Sequence, residues 1–361
     1  MISNLKVFTT KASTIKSKLK MGTRTLTPLN YEEEKEKFFN SRYYNPTFFY
    51  HTSKFPDQNQ EIIKLVLETH RLKIPDEIKE YLLLFLKDLE ELNATINSIG
   101  TDNFPKYALK LFSWDLSSIK NFEDILPSIH IEDKEDAGLY GADEIKNTFQ
   151  KILHKDYGLV NFPVEVDGFN PFTIRVGSKK VVVGKGVKRS SSNLKRLIVH
   201  EVESHALQFV NIKRSNNPLL KLYKYAQGEL LSEGLAVYNE ISTKTITKQA
   251  YDNYYFRLKA TGLINKSFRE IYQELIKDLS SKQAYIVTFR IKRGLKDTTK
   301  PGGFPKDAAY ILGYNKIKEF LSSGNDIRLF YKSKDPHLFN LLLKHDLVNE
   351  YPLLLPKFLS S

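Results

Sequence analysis

The run His200-Glu-Val-Glu-Ser-His205 constrains this chain more than any other stretch. Ser190-Ser-Ser-Asn193 supplies several N-cap candidates before it, and Leu194, Ile198, Val202 and Ala206 then recur every four residues. The run therefore sits on a central helix with a buried stripe. On a regular α-helix, residues four apart lie about 40° apart around the axis, so the two imidazoles of an HExxH pair can share one ion. Residues five apart lie about 140° apart and face different surfaces. An HExxxH pair converges only where the helix absorbs an extra residue, as a π-turn or a local unwinding. A regular helix carrying two unrelated surface histidines is the alternative.

Cysteine is absent from the 361 residues, which excludes a disulfide scaffold, a thiolate zinc finger, an iron–sulfur cluster and a cysteine nucleophile. Any metal must sit on histidines and carboxylates. A catalytic zinc takes three protein ligands and keeps a position open, so the third ligand is His, Asp or Glu. The helix expected next, over Gly228–Ser242, places Glu229, Glu233 and Glu240 on one face, with Leu231 nearly opposite. Gly234 follows Glu233. A glycine inside a helix costs about 1 kcal/mol against alanine, and close approach of another backbone is one thing that offsets it. A solvated acidic face is the competing reading of the three glutamates.

The rest of the chain reads as mainly helical. Periodicity predicts helices at Tyr31–Asn40, Glu61–Leu72, Pro75–Leu92, Lys106–Phe112, Ala250–Ala260, Phe268–Leu279, Gln283–Arg293, Asp307–Leu321 and Leu338–Lys344. Between Phe162 and Val187 the pattern shifts to period two, with strands at Phe172–Val176 and Lys180–Val183 and turns at Asp167-Gly168 and Gly177-Ser178. A small antiparallel sheet is expected there, with Lys180–Val183 as an edge strand able to pair with an extended peptide. Residues 1–30 read as a basic, flexible arm, residues 31–155 as a helical region and residues 156–361 as the region carrying the chemistry, the last two able to fuse into one domain. The arm holds Lys6, Lys11, Lys16, Lys18, Lys20 and Arg24, six of the formal net charge of +13. The remainder is too modest an excess to demand nucleic acid, though it suits an acidic partner. No apolar run approaches the roughly 20 residues needed to span a bilayer, and the arm lacks a secretory apolar core, so a cytoplasmic location is expected. The oligomeric state has no signature.

The HExxxH run is followed by Glu233-Gly-Leu-Ala236, preceded by Tyr44-Asn-Pro-Thr-Phe48 and succeeded by Gly302-Gly-Phe-Pro-Lys-Asp307. In that order the four motifs resemble the QEGLA-motif metallohydrolase family, whose eukaryotic relatives are the microtubule-associated tyrosine carboxypeptidases. The resemblance covers about Tyr43 to Tyr314. It implies a zinc peptidase with His200, His205 and Glu233 as metal ligands and Glu201 as catalytic base. One position departs from the family pattern, where Ser232 stands in place of the usual glutamine. The fold class that follows is α+β, mainly helical, with a small antiparallel sheet preceding a gluzincin-like HExxxH helix.

The chemistry of the residues agrees with those roles. Zinc lowers the pKa of its water to about 7, and an adjacent carboxylate can take the proton and deliver it to the leaving amine. A donor must also hold the developing oxyanion, and a carboxypeptidase needs a cation for the terminal carboxylate of its peptide or protein substrate. Arg290 or Arg293 is the expected carboxylate clamp, Lys306 a further cation, and Tyr310 the donor. The aromatic loop Tyr43–Tyr50 reads as core more than as a pocket for an aromatic C-terminal residue such as tyrosine. Gly184-Lys-Gly186 lacks the spacing of a phosphate loop. The Lys-, Ile- and Asn-heavy composition suggests a low-GC genome and a bacterial source, which would leave no tubulin tail to act on. The rival from another class is a non-catalytic binding protein with a structural metal and a basic surface for an acidic partner. A nucleic-acid binder built on the arm and the Arg290–Lys300 cluster ranks below it.

Overall fold

Apolar residues spaced for helix do become helix over most of the chain. The computed structural model describes residues 2–19, 21–22, 25–51, 57–114, 116, 131, 138–168 and 173–360. Lys20, Arg24, His130 and Phe172 lie outside the described residues. The protein is a mainly helical α+β chain, and it falls into two units that each draw on several stretches of sequence. No described helix is long and apolar enough to cross a membrane.

The first unit comprises Met1–Leu126, Leu222–Glu229 and Asn253–Ala308. It opens with α1 (Ile2–Lys18), α2 (Tyr31–Asn40), α3 (Asn59–Arg71), α4 (Asp76–Asn97) and α5 (Phe104–Leu111). The expected flexible arm is instead a helix. Leu5, Phe8, Ala12 and Ile15 are buried, an amphipathic stripe at i, i+3, i+7, i+10 that packs on α3. Lys6, Thr10, Lys11, Thr14, Ser17 and Lys18, among the polar residues that interrupt any secretory core, form the exposed face of this helix. Later in the chain come α11 (Phe268–Leu275), capped by Ser267 and Glu270, and α12 (Ser281–Lys292), capped by Ser280 and Gln283. Phe38, Phe48, Phe268, Tyr272 and Tyr285 share one core cluster. Phe48 and Tyr50 of the aromatic loop are buried, whereas Tyr43 and Phe49 are exposed. The buried Lys292 ammonium donates to the carbonyls of Ile264, Lys300 and Gly302 at 2.8–3.0 Å, tying the Gly302-Gly303 backbone to the end of α12. A Cβ on Gly303 would stand 2.2 Å from the Ile291 oxygen, so glycine is required there.

The second unit comprises Pro127–Lys221, Leu230–Asp252 and Ala309–Ser361. Strand β1 (Leu139–Gly141) pairs antiparallel with β5 (Lys188–Ser190), and β2 (Val164–Asp167), β4 (Val181–Gly184) and β3 (Ile174–Val176) form a second sheet in that order. The larger sheet is mixed and not purely antiparallel as expected. β4 runs parallel to β2 and antiparallel to β3, because the β3–β4 hairpin folds back between β3 and β2. β4 is therefore the central strand, which overturns its reading as a peptide-binding edge. Helix α6 (Ala142–Lys155) packs on β2 and β4 through Ile145, Phe149 and Leu153, a stripe at i, i+4, i+8.

After β5 the chain enters α7 (Ser191–Leu197), a π-helix (Ile198–Ala206) and α8 (Leu207–Arg214) without a break. α9 (Tyr225–Ser242), α10 (Lys248–Gly262), α13 (Ala309–Ser322), α14 (Leu329–Lys332) and α15 (Pro336–Lys344) complete the helices. Leu207 of α8, Leu231 and Leu235 of α9, Ile317 of α13 and Phe330 and Tyr331 of α14 form one core cluster.

Candidate metal centre

The helix that carries HExxxH is not regular. Ser190 caps α7 by accepting the Asn193 N–H, and the α-helical path gives way to the π-helix over Ile198–Ala206. In a π-turn hydrogen bonds join residues five apart, so those residues stand one above the other. The Ser204 hydroxyl reinforces this register, donating to the Val199 carbonyl at 2.8 Å and accepting from Asn239 Nδ2 of α9 at 2.8 Å. His200 and His205, which a regular helix would point apart, have ring centroids 4.9 Å apart.

Glu233 of α9 completes the set. Its Oε2 lies 3.5 Å from His200 Nε2 and 3.6 Å from His205 Nε2, too long for good hydrogen bonds. This buried oxygen has no hydrogen-bond partner. Zinc binds imidazole nitrogen at about 2.0–2.1 Å and carboxylate oxygen at about 2.0–2.2 Å, so tetrahedral ligand atoms stand roughly 3.3–3.5 Å apart. That separation matches the 3.5 and 3.6 Å between Glu233 Oε2 and the two Nε2 atoms, so the three groups could hold one ion. Among the described residues this is the one group of three His, Cys, Asp or Glu whose candidate ligand atoms lie within 4.8 Å of one another. Two imidazoles and one carboxylate form a donor set that suits zinc, and side-chain exposures of 12% for His205 and 18% for Glu233 leave one side open.

The electrostatics favour positive charge at this point. Burial opposes the charge on Glu233, yet the imidazoles of His200 and His205 hold its carboxyl well below the usual range. Burial likewise opposes charge on His200, and Glu233 and Glu240 outweigh it, raising that imidazole to about 10. A proton or a metal cation answers the same demand.

Glu201 and Tyr310 belong to the same unit. Burial raises the Glu201 carboxyl above its ordinary value, with His200 and His205 opposing, a direction that suits a group that must both take and return a proton. The Tyr310 ring, in the first turn of α13, has its centroid 6.5 Å from that of His200. Glu240 is fully buried and receives His200 Nδ1 at 2.6 Å and Arg196 Nη1 at 2.7 Å, so it belongs to no solvated acidic face. The reading of the sequence assigned no role to Arg196, although it stands one helical turn before His200 and so shares its face.

Arg290, Arg293 and Lys306 belong to the first unit. Arg290 forks onto Asp307, with Nη2 2.7 Å from Oδ1 and Nε bonded to Oδ2. Arg293 Nη2 stands 3.6 Å from Oδ1, and Arg257 Nε stands 3.9 Å from Oδ2. Burial opposes the Asp307 charge, but Arg290 and Arg257, and more weakly Arg293, hold its carboxyl well below the usual range. Three guanidiniums around one carboxylate leave the cluster net positive. Lys306 pairs with Glu229 at 2.5 Å, which accounts for that member of the acidic trio. Sequence reasoning missed Arg257 and the anchoring Asp307, because nothing in the linear spacing connects residues 257, 290 and 307.

The family described as "Microtubule-associated tyrosine carboxypeptidase" matches residues 36–359. The chain belongs to this family. A Mus musculus protein named "Putative tyrosine carboxypeptidase MATCAP2" is 24% identical over 309 residues, covering 82% of this chain and 50% of the mouse protein. The chain thus spans about half the length of the curated relative it matches. The tyrosine carboxypeptidase match encloses the π-helix, Glu233 and the arginine cluster around Asp307 alike.

Proposed function

We propose that this protein is a zinc-dependent carboxypeptidase that removes the C-terminal residue of a peptide or protein, with tyrosine or another aromatic residue as the first candidate for the one removed. The observation that carries this reading is the buried, unpartnered Glu233 Oε2 aimed between the Nε2 atoms of His200 and His205. His200, His205 and Glu233 would hold the ion. Zinc, when bound, supplies Lewis acidity and makes water acidic enough to ionise near neutral pH. Glu201 takes the proton from the attacking water and returns it to the leaving amine, for which its raised carboxyl is suited. Tyr310, beside His200, donates a hydrogen bond where negative charge develops on the former carbonyl oxygen. Arg290, Arg293 and Lys306, expected from the sequence to meet the terminal carboxylate, lie in the first unit and pair with Asp307 and Glu229. The names of the family and of the mouse relative support the carboxypeptidase class and tyrosine as the residue to test first.

Glu201→Gln tests the proposal against peptides that differ only in their last residue, each also supplied as the C-terminal amide. The expected result is release of the last residue from free acids and not from amides, with a loss on the order of 10²–10⁴-fold in the variant and zinc retained. Parallel loss of zinc and fold would assign the centre a structural role. Unimpaired turnover would remove Glu201 from the mechanism.

A further inference from the structure

The two imidazoles are held by different relays, and the direction of each proton can be followed. In the first, the Arg196 guanidinium lies 2.7 Å from Oε1 of the fully buried Glu240 and supplies the cation that a buried carboxylate requires. The same oxygen lies 2.6 Å from His200 Nδ1. His200 Nδ1 therefore donates to that carboxylate, and its Nε2 faces Glu233, where it would present a lone pair once a metal cation displaces its proton. In the second relay, Gln208 Nε2 donates to the Phe330 carbonyl at 2.8 Å, which fixes the amide with Oε1 turned to Ser232. Ser232 Oγ donates its one hydrogen to that oxygen at 2.8 Å. It can then only accept from His205 Nδ1, 3.1 Å away. His205 is thereby also fixed as the Nδ1–H tautomer, with Nε2 turned to Glu233.

One stripe of α9 provides these partners, since Ser232 and Asn239 are seven residues apart, as are Glu233 and Glu240. Seven residues are close to two helical turns, so the ligand, both imidazole partners and the Asn239 bond to Ser204 face the π-helix together. The relays differ in strength. A short bond to a charged acceptor is roughly twice as strong as a neutral one, and a carboxylate behind a metal-binding imidazole makes the ring a better donor.

We infer that Glu240, paired with Arg196, is the positioning residue that dominates metal affinity at this centre, and that Ser232 with Gln208 is the weaker guide of His205. This rests on the zinc reading above. The test is zinc affinity of the full chain, by competition with a chromophoric chelator, for wild type, Glu240→Gln, Arg196→Met and Ser232→Ala. Cobalt-substituted absorption spectra and thermal unfolding of each metal-free protein accompany it. Wild type should bind zinc, Glu240→Gln should bind it about 10–100-fold more weakly with an altered cobalt spectrum, and Ser232→Ala should lose less. Arg196→Met, which leaves the carboxylate in place, should fall between them and decides the matter if Glu240→Gln does not fold. Equal affinity in wild type and Glu240→Gln, or a larger loss in Ser232→Ala, overturns the inference while leaving zinc binding intact. Failure of wild type to bind zinc would instead remove the reading on which the inference stands.

Discussion

Gly234 and Gly313 meet backbone against backbone. A Cβ on Gly234 would stand 2.2 Å from the Gly313 carbonyl carbon, and a Cβ on Gly313 would stand 2.1 Å from the Leu230 oxygen. α9 and α13 thus approach as closely as two helices can, at the residue directly after Glu233. Gly234→Ala should destabilise by about 1–3 kcal/mol or more through overpacking, outweighing the roughly 1 kcal/mol that alanine gains as a helix former. The same variant should bind zinc more weakly, because Glu233 moves with its neighbour. Thermal unfolding with and without zinc checks both effects, and a variant as stable as wild type would contradict the contact.

Asp307 is buried and anchors three guanidiniums, so its loss breaks a buried charge cluster. Asp307→Asn should cost about 3–5 kcal/mol. Its folded-state pKa lies below the unfolded value. The stability it contributes is therefore present above about pH 3.9 and is lost as pH falls towards the folded value. Urea midpoints across pH 2.5–6 should fall with acid more steeply in wild type than in the variant, and parallel slopes would exclude this role.

Asp88 behaves in the opposite sense. It is buried in α4 and accepts the Tyr225 N–H at 2.6 Å, and burial raises its carboxyl to about 6. The folded state here binds the proton more tightly than the unfolded chain, so the contribution is fully present below about pH 3.9 and declines as pH rises through about 6. Asp88→Asn keeps an acceptor for Tyr225 without the buried charge. It should be the more stable protein at pH 8, by on the order of 3 kcal/mol, with the gap closing near pH 4. A less stable variant at pH 8 would show that the charge is stabilising.

Phe8 decides the status of the N-terminal segment. Its side chain is buried in α1, and Phe8→Ala should cost about 3–5 kcal/mol, as a core position does. A neutral substitution would return residues 1–30 to the description of a basic arm.

Much of the helical layout was legible because apolar spacing decides it. Tyr31–Asn40 and Gly228–Ser242 lie within a few residues of α2 and α9. The demand for a distorted helix was legible too, since it follows from the i, i+5 spacing of His200 and His205, and the π-helix spans both residues. α1 escaped notice because its lysines dominated the reading, although Leu5, Phe8, Ala12 and Ile15 carry a helical period. The parallel pairing of β2 with β4 depends on where the β3–β4 hairpin folds back, which strand composition does not encode. Glu240 was legible as one of three acidic candidates on a helix face, but only the packing of α9 on the π-helix separates the candidate ligand Glu233 from the imidazole partner Glu240. The cluster around Asp307 joins residues 257, 290, 293 and 307, and no local pattern announces it.

His200, His205 and Glu233 are expected to hold one catalytic zinc, which elemental analysis of the purified protein beside His205→Ala measures. About one zinc per chain should be found in wild type and be lost in the variant, while the circular dichroism spectrum is unchanged. Absence of zinc from wild type after reconstitution at neutral pH, or full retention in His205→Ala, would contradict this expectation.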